Sequence, residues 1–114
     1  MNKYVLIVAG GSGKRMGKKT PKQFLLLKGK PILMHTIKRF FDYDPSISIV
    51  LVLPANQIEY WHKLCENFDF NISHEIVSGG ATRFQSVKNG LKKTGNTGII
   101  GIHDGIRNVI SIEI

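Results

Sequence analysis

Short, unbroken apolar runs alternate along this chain with stretches whose apolar residues recur at helical spacing, and few folds accommodate that pattern. The runs fall at Tyr4 to Ala9, Ile47 to Leu53, Ile72 to Val77 and Ile99 to His103. The first two are apolar at nearly consecutive positions instead of alternate ones, as strands covered on both faces are. Between the first two, Ile32, Leu33, Thr36, Ile37, Phe40 and Phe41 mark one helical face that begins behind Pro31 and stops at DYDPS. Proline suits the first helical position because it has no N–H to leave unsatisfied. A second helix is predicted from about Ala55 to Asn67. A third follows GGA, with Thr82 as its N-cap and Phe84, Val87 and Leu91 on its apolar face before Gly95. The stretch FLLLK, residues 24–28, fits a short strand or an extended loop equally well. Strands separated by helices require crossover connections. The expected fold is therefore α/β, a Rossmann-like and mainly parallel sheet with helices on both faces.

That topology has a consequence for function. In an open parallel sheet ligands sit beyond the carboxyl ends of the strands, where loops lead into helices. Three segments then share one rim: the glycine-rich loop after the first strand, SGGATR after the third and HDGIR after the fourth.

The first of these segments also stands out in composition. From Ala9 to Phe24 the sequence AGGSGKRMGKKTPKQF holds four glycines, five cationic side chains and no carboxylate. No acidic residue occurs before Asp42, whereas Lys3, Lys14, Arg15, Lys18, Lys19, Lys22, Lys28, Lys30, Lys38 and Arg39 all do. The net charge of +8 is thus concentrated around the loop and points to an anionic partner. Nucleic acid is disfavoured as that partner, because Phe24, Phe40 and Phe41 follow core periodicity instead of forming a stacking platform. Apolar residues make up 42% of the 114 residues and charged ones 21%, the balance of a water-soluble domain. No apolar stretch approaches the roughly 20 residues needed to span a bilayer, and YVLIVA is too short for a secretory leader, so a cytoplasmic protein without membrane contact is expected. Cys65 has no second cysteine to pair with and reads as a small apolar filler; His35, His62, His74 and His103 read as packed residues, not as bases.

The loop matches neither common phosphate-binding pattern. A Walker A loop needs G-x-x-x-x-G-K-[ST], but Gly13-Lys14 is followed by Arg15 and Gly17-Lys18 by Lys19. The dinucleotide pattern G-x-G-x-x-G has Met16 where its last glycine belongs, and no carboxylate follows at roughly 20 residues to hold a ribose. What remains is a glycine loop whose backbone N–H groups can wrap phosphates, with Arg15 and Lys22 able to reach the same anion.

Taken in order, AGGSGKRMG, TPKQFLLLKGKPIL, GGATRFQSV and GIHDGIR resemble the 2-C-methyl-D-erythritol 4-phosphate cytidylyltransferase family of the non-mevalonate isoprenoid pathway. The resemblance covers essentially the whole chain and about the first half of a typical member. It implies transfer of CMP from CTP to a sugar-alcohol phosphate with release of pyrophosphate. Arg15 and Lys22 would be the catalytic pair on the phosphates. Ala9, Gly10, Gly11, Gly13, Gly80, Ala81 and Ser86 would bind the nucleotide, and Asp104 would hold Mg²⁺. Arg83 would brace the second motif, and Arg107 would hold nearby loops or the ligand. Ribitol-5-phosphate cytidylyltransferases share this class of loop and are the alternative within it; a non-catalytic basic module for nucleic acid is the alternative outside it. The family pattern continues with further strands, an arm that builds a homodimer and acceptor-binding residues, none of which falls within these residues. Residues 1–114 are therefore expected to form the nucleotide-binding part of a cytidylyltransferase domain. Two departures stand out: Asn108 follows Arg107 where the family usually has proline, and Gly10 stands where many members have alanine.

Overall fold

The computed structural model describes residues 3–9, 22–94 and 98–104, without the side chains of Lys22, Thr94 and residues 98–104. In chain order the elements are β1 (Lys3–Val8), β2 (Leu26–Leu27), β3 (Lys30–Pro31), α1 (Ile32–Tyr43), β4 (Ser48–Leu53), α2 (Ile58–Asn67), β5 (Glu75–Ser78), α3 (Arg83–Thr94) and β6 (Gly98–Asp104). Single 3₁₀ turns occur at Lys22–Phe24 and Ala55–Gln57.

Four of the strands form one parallel sheet in the order β5-β4-β1-β6. The chain therefore runs from β1 to β4 to β5 in one direction, then crosses back to place β6 on the other side of β1. Strands β1 and β4 are covered on both faces, which explains their consecutive apolar residues. Val5, Ile7, Ala9, Ile49, Leu51 and Leu53 face one layer, where Leu33, Met34, Ile37 and Phe40 of α1 and Trp61 of α2 complete a core. On the opposite face Leu6 and Val52 lie against α3, so close to Gly90 that a Cβ there would sit 2.7 Å from Leu6 Cδ2. Helices on both faces of a parallel sheet is the arrangement expected from the pattern.

The ends of α1 follow from local chemistry. Pro31 precedes its first residue, and Asp44 ends it, donating its N–H to the Phe40 carbonyl at 3.0 Å. The Asp44 carboxylate then accepts from the Ser46 hydroxyl and N–H, at 2.7 and 3.0 Å, and from Lys3 at 3.0 Å. These hydrogen bonds, the Ser46 hydroxyl's first, hold its pKa down to about 2. Before α1, β2 and β3 pair antiparallel across Lys28 and Gly29, both at positive φ (54° and 83°). Two left-handed residues in succession make the tight turn whose twist suits a two-residue hairpin. FLLLK thus contributes a short strand, Leu26–Leu27.

Two expectations shift. The third strand of the sheet begins at Glu75, not Ile72, because residues 72–74 turn toward an aromatic cluster. There Trp61 Nε1 donates to His74 Nε2 at 3.0 Å, which leaves the proton on Nδ1 to meet the Ile72 carbonyl at 2.8 Å. The second shift concerns α3. Phe84, expected on its apolar face, is 74% exposed, whereas Ser86 and Gly90 are buried. Small side chains let the helix approach the sheet closely; Val87 and Leu91 flank the contact half-buried. Phe41, also assigned to a core face, is exposed at its margin.

Candidate functional site

The carboxyl ends of the parallel strands create one rim. Val8 is in register with both Val52 of β4 and Asp104 of β6, and Leu53 with Ser78 of β5. Two hydrogen bonds continue the ladder past the strands: the Ala9 N–H donates to Val52 O at 2.9 Å and the Gly79 N–H to Leu53 O at 2.7 Å. The segments after β1 and β5 therefore leave the sheet at matching height. Because β4 and β6 flank β1 on opposite sides, the crevice where strand order reverses lies between β1 and β6. The expected convergence of Ala9, the GGA segment and Asp104 on this rim is what the topology produces. Gly10, Gly11, Gly13 and Arg15 lie outside the described residues, as do the side chains of Lys22 and Asp104 and all of Arg107 and Asn108.

On the α1 and α2 side of the rim, the 3₁₀ turn carrying Lys22 is pinned from within. Phe24 is buried, edge-on to Tyr60 at 5.1 Å and stacked with Trp61 at 6.0 Å between centroids. Gln23 is fully buried as well; its Nε2 donates to the Ala9 carbonyl at 3.2 Å and to Gln57 Oε1 at 2.7 Å. The Lys22 backbone is thus tied to the residue from which the glycine loop departs.

On the α3 side, the GGA segment is held by hydroxyl and amide groups. Ser86, 5% exposed, accepts the Gly80 N–H on its Oγ at 3.1 Å. Thr82 is the N-cap expected, its Oγ1 accepting the Gln85 N–H at 3.0 Å. A Cβ on Gly80 would lie 2.6 Å from Gln85 Cβ, so the segment can only make this turn with glycine there. Asn89 donates from Nδ2 to the Ser78 carbonyl at 3.1 Å and accepts from Gln85 Nε2 at 3.1 Å. Arg83 was expected to brace this segment; instead it is exposed, and its guanidinium has no partner among the described residues. Ser86, Thr82 and Asn89 brace the segment in its place.

Of the remaining candidates for chemistry, Cys65, His35 and His74 are held by packing and hydrogen bonds, while the side chain of His103 lies outside the described residues. Burial pushes the Cys65 thiol up to about 11, the opposite of what a nucleophile needs. His35 shares a 2.6 Å contact with the Leu27 carbonyl and secures the hairpin, while burial holds the His74 imidazole below its ordinary value. His62 is exposed, contrary to the packed role expected of it. Among the described residues no cluster of three or more His, Cys, Asp or Glu gathers that could hold a metal ion, and no helix is long and apolar enough to cross a membrane.

Comparison with known proteins decides the lineage. The family model for 2-C-methyl-D-erythritol 4-phosphate cytidylyltransferase matches residues 3–114. The chain belongs to that family. Curated cytidylyltransferases of this name from Phocaeicola vulgatus and Bacteroides thetaiotaomicron are 53% and 49% identical over 114 residues, all of this chain and 52% of each relative. The bifunctional IspDF of Campylobacter jejuni superposes with a TM-score of 0.72 at 26% identity, over 92% of this chain and 26% of that one. The chain thus spans about half the length of the curated relatives it matches. The enzyme class of the family, nucleotidyltransferase, and its Rossmann-like sheet agree with the reading from motif and pattern.

Proposed function

We propose that this chain is the CTP-binding part of an enzyme that transfers CMP to 2-C-methyl-D-erythritol 4-phosphate. An oxygen of the acceptor phosphate attacks the α-phosphorus of CTP, the bond from that phosphorus to the β-phosphate oxygen breaks, and pyrophosphate leaves with the electron pair. No covalent protein intermediate is involved. The protein's work is to align the two phosphates and to balance charge at the crowded phosphorus.

The observation that carries this reading is the register of β1 with β6. It supports a rim on which the glycine loop and Asp104 start side by side, though they are far apart in sequence. Arg15 and Lys22 hold the phosphates, arginine through its planar fork and lysine as a compact charge. Ala9, Gly10, Gly11 and Gly13 give the triphosphate access to backbone N–H groups, while Gly80 and Ala81 present backbone to the cytosine. Ser86 acts on the base by fixing Gly80, and its hydroxyl proton remains for an acceptor on the ring. Asp104, at the end of β6, suits Mg²⁺ because a carboxylate oxygen is a hard ligand and that ion takes its other ligands largely from phosphates and water. When bound, that ion neutralises the phosphate oxygens. The acceptor follows from family membership, and cytoplasmic location and a homodimer belong to the same proposal.

A calorimetric titration with CTP, UTP, ATP and GTP, each with and without Mg²⁺, tests it. Selective, metal-dependent binding of CTP is expected. Equal affinity for all four would remove the base assignment, and indifference to the base with a steep fall in affinity as salt rises would favour a surface for nucleic acid. Product analysis with methylerythritol phosphate and ribitol 5-phosphate, in a protein of the relatives' length, separates the two acceptors.

A further inference from the structure

Gln23 is fully buried, yet it is polar and among the described residues has only part of its hydrogen-bonding capacity met. Its Nε2 uses both protons, toward Ala9 O at 3.2 Å and Gln57 Oε1 at 2.7 Å, while its Oε1 has no partner among the described residues. Desolvating an amide oxygen in this way is unfavourable, and an apolar residue of similar volume avoids the penalty if packing is all that is required. The amide must therefore serve something other than packing. What it touches suggests what. Ala9 is the last described residue before the glycine loop. Gln57 belongs to the corner leaving β4 and is itself fixed through its N–H to the Pro54 carbonyl at 2.8 Å. On either side of Gln23 in sequence stand Lys22 and Phe24, the latter locked against Tyr60 and Trp61.

We propose that Gln23 is a positioning residue: one buried amide ties the end of β1, the turn that carries Lys22 and the β4 corner into a single frame, so that the groups meeting the triphosphate keep a fixed separation. The inference rests on the CTP reading for its purpose but not for its geometry. Gln23 itself touches no ligand, because it is fully buried. Its neutrality also matters, since a lysine or glutamate at this point would add or cancel charge beside the phosphates.

The test compares the chain with its Gln23→Met, Gln57→Met and doubly substituted variants, reading three quantities: the urea midpoint, the affinity for CTP with Mg²⁺, and hydrogen exchange at the Ala9 amide. Gln23→Met should weaken CTP binding at least tenfold and speed Ala9 exchange at least tenfold, as the strand end loses its tether. The double variant replaces both polar partners with apolar ones, an exchange that can be nearly neutral for stability. It is expected to recover the urea midpoint but not the affinity, a separation that a purely structural role would not produce. It also keeps the comparison open if Gln23→Met alone folds poorly. Recovery of wild-type affinity in the double variant would overturn the proposal, as would unchanged Ala9 exchange in Gln23→Met. If the wild-type chain binds no CTP while Ala9 exchange still rises in Gln23→Met, the tether stands and the CTP reading is what fails.

Discussion

Gly90→Ala should destabilise this chain, although the same exchange stabilises most helices. A glycine inside a helix costs roughly 1 kcal/mol relative to alanine, so at an open position of α3 the substitution would add about that much stability. Gly90 is not open. A Cβ there would lie 2.7 Å from Leu6 Cδ2, 2.9 Å from Val52 Cγ2 and 3.3 Å from Leu6 Cγ. Leu6 and Val52 are both fully buried in the middle of the sheet, so neither has empty space to move into. Val52 is also stiff, because branching at Cβ restricts its χ1 rotation. The helix must then lift from the sheet, and overpacking of this kind costs typically about 1–3 kcal/mol. Setting the helix gain against it leaves a net loss of about 1 kcal/mol. With a urea slope of roughly 1–1.5 kcal/mol per molar for a domain this size, the unfolding midpoint should drop by about 0.7–1 M. Lifting α3 also draws Ser86, one turn earlier on the same face, away from the Gly80 N–H. Affinity for CTP should therefore fall further than the small unfolded fraction explains. A midpoint that rises would refute the close approach of α3, and with it the account of why Ser86 and Gly90, not Phe84, face the sheet.

Other predictions concern the site and the pH response. Arg15→Ala or Lys22→Ala should each weaken CTP binding roughly ten- to hundredfold, the loss expected for a charge-assisted hydrogen bond of about 1.5–3 kcal/mol; a wild-type isotherm would take that residue out of the site. Asp104→Asn should leave CTP binding nearly indifferent to Mg²⁺, and a metal dependence like the wild type's would sink the assignment. The ring of His74 must be neutral at Nε2 to accept from Trp61, and burial holds its pKa below the usual 6.5. The unfolded chain therefore takes up the proton first. This contribution to stability is complete above about 6.5 and is lost as pH falls through the lower folded value. Urea titrations followed by the fluorescence of the single tryptophan, Trp61, should show the midpoint falling below pH 6.5, and a fall of the same size in His74→Phe would rule His74 out as its source.

The parts of this fold that were legible in the sequence are those fixed by averages over many residues. Continuous apolar runs marked β1 and β4 because both faces of each are covered, and helical spacing marked α1 because it has one buried face. Legibility failed where a single pairwise fit decides the matter. The hairpin at Lys28 and Gly29 depends on two positive φ angles, which no hydrophobic period encodes. The late start of β5 depends on the His74 bond to Trp61. The face of α3 was misread because close approach favours small residues, whereas periodicity points to large ones. For the site, topology alone was enough to bring Ala9, Gly80, Ala81 and the end of β6 to one rim. The Gln23–Gln57 pair and Asn89 left no comparable signal, since glutamine and asparagine are ordinarily exposed and only the partner reveals a buried one.

Gln23 and Asn89 share a physical role with Ser86. Where a strand ends, its last backbone groups lose ladder partners and must be satisfied some other way. Here side chains supply the bonds: Gln23 donates to the Ala9 carbonyl, Asn89 to the Ser78 carbonyl, and Ser86 accepts the Gly80 N–H. All three are uncharged. A lysine could hold either carbonyl, but a phosphate would compete for its charge, and an aspartate could hold the N–H, but it would bring negative charge to a rim proposed to receive a polyanion. Neutral donors and acceptors fix the backbone and leave the field of Arg15, Lys22 and the surrounding lysines uncancelled. In the proposed site this is a division between neutral groups for shape and cations for the ligand, and it joins the acid-free basic segment, Gln23 included, with Ser86 and Asn89, which lie far from it in the sequence.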